Sequence, residues 1–90
     1  MPLSIHRATP ADLDSLLLLM RHMQQDDAWD TPFDQPAVRT SLLNLLQNSL
    51  YGIVYLVRDE KSPLAYLAIC FDFSLEYRGK GAWIDELFVE

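Results

Sequence analysis

Three apolar runs follow one another in the second half of the chain with only short polar connections between them. They are Tyr51 to Arg58, Leu64 to Ser74 and Trp83 to Glu90. Each is rich in β-branched and aromatic residues, which suit a pleated, half-buried surface. The Asp59-Glu60-Lys61-Ser62-Pro63 connection is too short to hold a crossover helix, so consecutive strands must fold back as an antiparallel meander. A sheet of this kind needs cover on at least one face, and the first half of the chain must supply it.

The first half has the right periodicity. Ser4-Ile5-His6-Arg7 alternates as a short first strand. Thr9-Pro10-Ala11-Asp12 then reads as a helix start: Thr9 can cap, Pro10 suits the first helical position, and Asp12 lies near the positive end of the helix dipole. Leu13, Leu16, Leu17, Met20 and Met23 fall at helical spacing, and Leu18 and Leu19 widen that stripe, which predicts cover on more than one side. From Gln24 to Gln35 the pattern breaks into an acidic stretch with Trp29 and Phe33 among Asp26, Asp27, Asp30 and Asp34. Asp34, followed by Gln35 and Pro36, opens a second helix whose stripe is Val38, Leu42, Leu45 and Leu46 and which ends near Asn48. The expected order is strand, helix, helix, strand, strand, strand. That is a single α/β domain over residues 1–90, a mostly antiparallel sheet with covering helices.

Ninety residues can bury only about 60–65% of the surface that the unfolded chain exposes. Half of the residues are nevertheless hydrophobic, which excludes disorder and leaves apolar surface for another segment or subunit to cover. Seven Lys and Arg stand against thirteen Asp and Glu, a net charge of −6. That balance argues against a nucleic-acid binder and favours neutral or cationic small molecules. Cys70 is the single cysteine, so neither a disulfide framework nor a cysteine metal cluster is expected, and no residues have metal-ligand spacing. With no signal-like or membrane-spanning stretch, a cytoplasmic location is the default expectation.

Two places invite a chemical reading. Tyr77-Arg78-Gly79-Lys80-Gly81 looks like a phosphate-binding loop, but a helix should follow such a loop. Strand follows here, so the segment is read as a glycine-bearing hairpin turn. The final strand carries Asp85 and Glu86 in apolar surroundings. Strict alternation puts Trp83, Asp85, Leu87 and Val89 on one face and Ile84, Glu86, Phe88 and Glu90 on the other. A carboxylate on each apolar face calls for a cationic partner, a proton-handling role or an opening to water.

Ile5-His6-Arg7-Ala8-Thr9-Pro10-Ala11-Asp12-Leu13 resembles the opening strand and helix of the GNAT superfamily of acetyl-CoA-dependent N-acetyltransferases. Ile84-Asp85-Glu86-Leu87-Phe88-Val89, with Gly79-Lys80-Gly81 before it, resembles that superfamily's fourth strand, in particular its spermidine/spermine N-acetyltransferase-like branch. The resemblance spans essentially the whole chain. It implies the N-terminal half of an acyl-CoA N-acyltransferase fold, without the Arg-x-x-Gly-x-Gly/Ala loop that follows the fourth strand in that family and holds the cofactor's pyrophosphate.

The resemblance also implies roles. Asp85 and Glu86 match the acidic pair that contacts the acceptor amine and helps to remove its proton; the alternative is that one or both pair with a neighbouring Arg or Lys. Leu87, Phe88 and Val89 match the stretch whose backbone binds the pantetheine arm of acetyl-CoA, although plain core residues would read the same. Trp29, Asp30 and Phe33 match the border of the acceptor site, where a solvated acidic loop is the alternative. The family's usual general acid lies beyond the missing loop, and Tyr51, Tyr55 and Tyr66 do not replace it. The implied function is acetyl transfer from acetyl-CoA to a primary amine such as a polyamine, a diamine or an amino-acid-like acceptor, with this chain as the acceptor-side half, inactive alone. The alternative is a non-catalytic module that pairs through its open last strand. Expected partners are a small-molecule amine and either a second copy or a C-terminal half, with no nucleic acid and no membrane.

Overall fold

The computed structural model describes residues 2–27 and 33–90. The elements run β1 (Ser4–Arg7), α1 (Leu13–Asp27), α2 (Gln35–Gln47), β2 (Gly52–Arg58), β3 (Pro63–Ser74) and β4 (Gly79–Val89). Among the described residues the strands form one antiparallel sheet in the order β1-β2-β3-β4, so β4 is an edge. Fold class and element order agree with the expectation from the sequence.

Local chemistry accounts for the ends of the elements. A 3-10 turn, Pro10–Asp12, precedes α1, and the Thr9 N–H donates to Asp12 Oδ2 at 2.9 Å. The same carboxylate lies 3.3 Å from His6 Nε2, which ties the helix entry to β1. The Asp34 side chain caps α2 by accepting from the Ala37 N–H at 3.2 Å. In the β2–β3 connection, Asp59 Oδ1 accepts from the N–H groups of both Lys61 and Ser62 at 2.8 Å, so a side chain replaces missing backbone pairing. Those bonds stabilise the anion and hold the Asp59 carboxyl below its ordinary range.

Both helices lie on one face of the sheet. Leu13, Leu16, Leu17, Leu19, Met20 and Met23 of α1 and Leu42 of α2 bury against Val54, Leu56, Tyr66, Ala68 and Phe88. Leu18 stays exposed, so cover for α1 stops short of the wrap expected from the widened stripe. Gly52 sits where a side chain could not: a Cβ there would fall onto the carbonyl oxygen of Ile69 in β3. The opposite face is open, with Ile84 and Leu87 each 62% exposed and Val89 69% exposed.

One boundary needs correction. The reversal between β3 and β4 occupies residues 75–78, where Arg78 takes a positive φ of 57°. Gly79, Lys80 and Gly81 belong to β4 and pair with Ser74, Phe73 and Asp72. The segment is a hairpin, as expected, but its glycines are strand residues.

Candidate functional site

The register between β3 and β4 shifts in the middle of the pair. Glu86 lies opposite Ala68 and Ile84 opposite Ile69, which leaves Asp85 as an extra residue without a cross-strand partner. This is a β-bulge, and it overturns the face assignment that strict alternation gives. Trp83 lies across from Cys70, on the side of the helices, whereas Ile84 joins Leu87 and Val89 on the open side. Asp85 and Glu86 are not divided between the two faces. Both line one cavity of about 320 Å³ between α2 and the sheet, closed by Met20, Val38, Leu42, Leu45 and Ala68.

The buried phenol of Tyr66, 1% exposed, organises the acidic wall. Its O–H donates to Glu86 Oε1 at 2.6 Å and lies 3.4 Å from Met23 Sδ. The ring packs against Phe88 at a centroid distance of 6.4 Å, so the phenol and the strand carrying Glu86 are fixed by the same contact. Among the described residues, neither Asp85 nor Glu86 forms an ion pair. Cys70 stands beside them. Burial and then the negative charge of Asp85 and Glu86 push its thiol up from the ordinary cysteine range.

Leu87, Phe88 and Val89 do different things. The Glu90 N–H donates to the Leu64 carbonyl at 2.8 Å, and Phe88 faces Tyr66 two residues earlier. By antiparallel alternation, Phe88 uses its backbone groups within the ladder, while Leu87 and Val89 turn theirs outward along the open edge of β4. The Phe88 side chain is core, and the side chains of Leu87 and Val89 are exposed. Two adjacent outward N–H and C=O sets beside the acidic wall can bind an extended, amide-bearing ligand in the manner of a further strand.

Phe33 is half-buried, packs onto the core, and has the Arg21 guanidinium 5.9 Å from its ring centre. It does not line the acidic cavity. Trp29 and Asp30 lie outside the described residues. His22 bridges α1 to the end of β4, with Nδ1 2.7 Å from Glu90 Oε1. Among the described residues no group of three or more His, Cys, Asp and Glu could hold a metal ion, and no helix is long and apolar enough to cross a membrane. Sequence reasoning missed Tyr66 as the partner of Glu86 and α2 as the opposing wall. The signal for Tyr66 was there, since a tyrosine inside a buried strand needs a place for its hydroxyl.

No protein-family model and no curated protein matches the chain. Solved structures do. An integron cassette protein, HFX_CASS3, from the mobile metagenome of Cole Harbour Salt Marsh superposes with a TM-score of 0.85 at 25% identity, over 94% of this chain and 55% of that one. A protein from Clostridium acetobutylicum, described as an acetyltransferase and crystallised with acetyl-CoA, gives 0.82 at 17% identity over 99% and 60%. The aminoglycoside acetyltransferase meta-AAC0020, from an uncultured soil metagenomic sample and in complex with sisomicin, gives 0.71 at 19% over 98% and 56%. The fold is therefore that of part of these three proteins, two of them described as acetyltransferases, and the chain spans a little over half of their length.

Proposed function

We propose that this chain forms the acceptor side of a GNAT-type N-acetyltransferase that moves an acetyl group from acetyl-CoA to a primary amine. The observation that carries this reading is the bulge in β4, which gathers Asp85 and Glu86 on one cavity wall without a protein cation among the described residues. The flanking edge of outward backbone groups at Leu87 and Val89 supports it, and so does the likeness in fold to acetyltransferases.

An alkylamine is almost wholly protonated near neutral pH and cannot attack while it carries that proton. Asp85 and Glu86 bind the ammonium, and the apolar residues of α2 receive its hydrocarbon part. One of the two carboxylates first takes that proton; the neutral nitrogen then attacks the thioester carbonyl, the C–S bond breaks, and the second proton that the nitrogen loses goes to the departing thiolate, giving the amide and the free thiol. Tyr66 keeps Glu86 aimed at the cavity. Acetyl-CoA, when bound, supplies the activated thioester; the outward groups of Leu87 and Val89 would hold its amide-bearing arm. In this proposal the grip on the cofactor's phosphates belongs to a segment outside these residues, and each charge-assisted bond there contributes roughly 1.5–3 kcal/mol.

Two titrations of the 90-residue protein test the reading. Acetyl-CoA should shift the Leu87 and Val89 amide resonances with millimolar rather than micromolar affinity. The probe 1,4-diaminobutane should shift the side-chain carboxyl resonances of Asp85 and Glu86. Loss of the second response in Asp85→Asn and Glu86→Gln is expected, and the absence of both responses in the unaltered protein would sink the proposal. A second reading, a non-catalytic module that pairs through β4, is favoured by the exposed apolar side chains on that edge strand.

A further inference from the structure

We propose that the trough at the hairpin end of β3 and β4 is a binding site for an organic ammonium ion, separate from the acidic cavity and independent of any acetyl transfer. Gly79 and Gly81 lie on one face of β4, where each faces a small or polar residue of β3, Ser74 and Asp72. Without side chains at either glycine, the strand backbone becomes the floor of a cavity of about 520 Å³ walled by Tyr77 and Trp83. That volume lies within the range of small-molecule sites.

The lining selects the charge of the ligand. The Asp72 carboxylate lies directly over Gly81, where even a Cβ would collide with its Oδ1. Among the described residues Asp72 makes no ion pair. Lys80 also lines the trough, but its ammonium lies 4.2 Å from the centre of the Phe71 ring and so is directed to the other face of the hairpin. Phe71 and Phe73 alternate with Asp72 and so belong to the other face. The trough thus presents a carboxylate between two aromatic side chains that are themselves open, Trp83 being 51% exposed. A carboxylate flanked by electron-rich rings favours a soft, weakly hydrated cation, in which charge pairing and cation–π attraction act together. An anion would meet Asp72, and a neutral ligand would leave that charge unused. The turn that carries Tyr77 is fixed through its backbone, where the Tyr77 N–H donates to Ser74 Oγ at 3.2 Å, and the ring itself is open to solvent.

The test uses the whole 90-residue protein and tetramethylammonium chloride as the probe, followed by amide and indole resonances. Saturable shifts should appear at the Trp83 indole and at Gly79, Gly81 and Asp72, with a dissociation constant in the millimolar range, as expected for an exposed cation–π site. Sodium chloride at the same concentration should not reproduce them. Asp72→Asn should weaken binding about fivefold or more, and Gly81→Ala, whose Cβ displaces the Asp72 carboxylate, should also weaken it while resonances of α1 and α2 stay in place. Asp85→Asn with Glu86→Gln should leave the Trp83 response intact. The proposal is overturned if Trp83 shows no saturable shift, if Asp72→Asn binds as well as the unaltered protein, or if the response vanishes with Asp85 and Glu86 instead.

Discussion

At the scale of single residues, the arrangement of Cys70, Asp85 and Glu86 can be read by experiment without any substrate. The thiol is raised by partial burial and by both carboxylates, so little of it is thiolate in mildly alkaline solution. Cys70 should therefore react slowly with a disulfide reagent at about pH 8, compared with an unperturbed thiol of pKa ≈ 8.5. Replacing both acids, Asp85→Asn with Glu86→Gln, removes two negative charges and should lower the thiol's pKa and speed the reaction. An unchanged rate would mean that the acids do not face the cysteine. Tyr66 explains why one of the two acids has a fixed direction: its hydroxyl holds Glu86, whereas Asp85, the bulged residue, is exposed.

At the scale of elements, the β2–β3 turn gives a pH dependence with a definite sign. Asp59 accepts two backbone N–H bonds only as the folded turn forms, and its carboxyl is lowered from the ordinary value of 3.8. A depressed folded-state pKa contributes stability that is present above the unfolded value and lost as pH falls through the folded one. Asp59→Ala should therefore be less stable than the unaltered protein near neutrality, and the gap should close as pH drops below about 4. Urea unfolding at several pH values measures it; a gap constant down to acid pH would contradict the assignment. The elements themselves were legible. Val, Ile and Tyr in Tyr51 to Arg58 could only be strand, and Leu13, Leu16, Met20 and Met23 could only be one helical stripe. The bulge was not legible, because Ile84-Asp85-Glu86 carries no glycine or other mark that distinguishes an inserted residue from an alternating one. The Tyr66–Glu86 bond was hidden for a related reason, since it depends on register across a hairpin rather than on local spacing.

At the scale of the whole molecule, the sheet is covered on one face and bare on the other. Ile84, Leu87 and Val89 project from the bare face of the edge strand, and Ile5 is exposed on β1 at the other end of the sheet. An apolar face of that kind favours contact with another polypeptide surface. Sedimentation should show concentration-dependent association of the 90-residue protein, reduced by Leu87→Lys or Val89→Lys; a monomer at every concentration would argue against the pairing reading. The interior was predictable from periodicity, whereas the asymmetry between the faces emerged only when both helices settled on the same side. The single unpaired position at Asp85 also has a bearing on how such a molecule can change. Removing that residue would restore a regular ladder with Glu86 still opposite Ala68, Ile84 opposite Ile69 and Trp83 opposite Cys70, and would take only the Asp85 carboxylate from the cavity wall, without touching either helix. One codon thus supplies half of the acidic wall without deciding which side its neighbours occupy, so a single deletion would alter the chemistry of the cavity and leave the sticky apolar surface as it is.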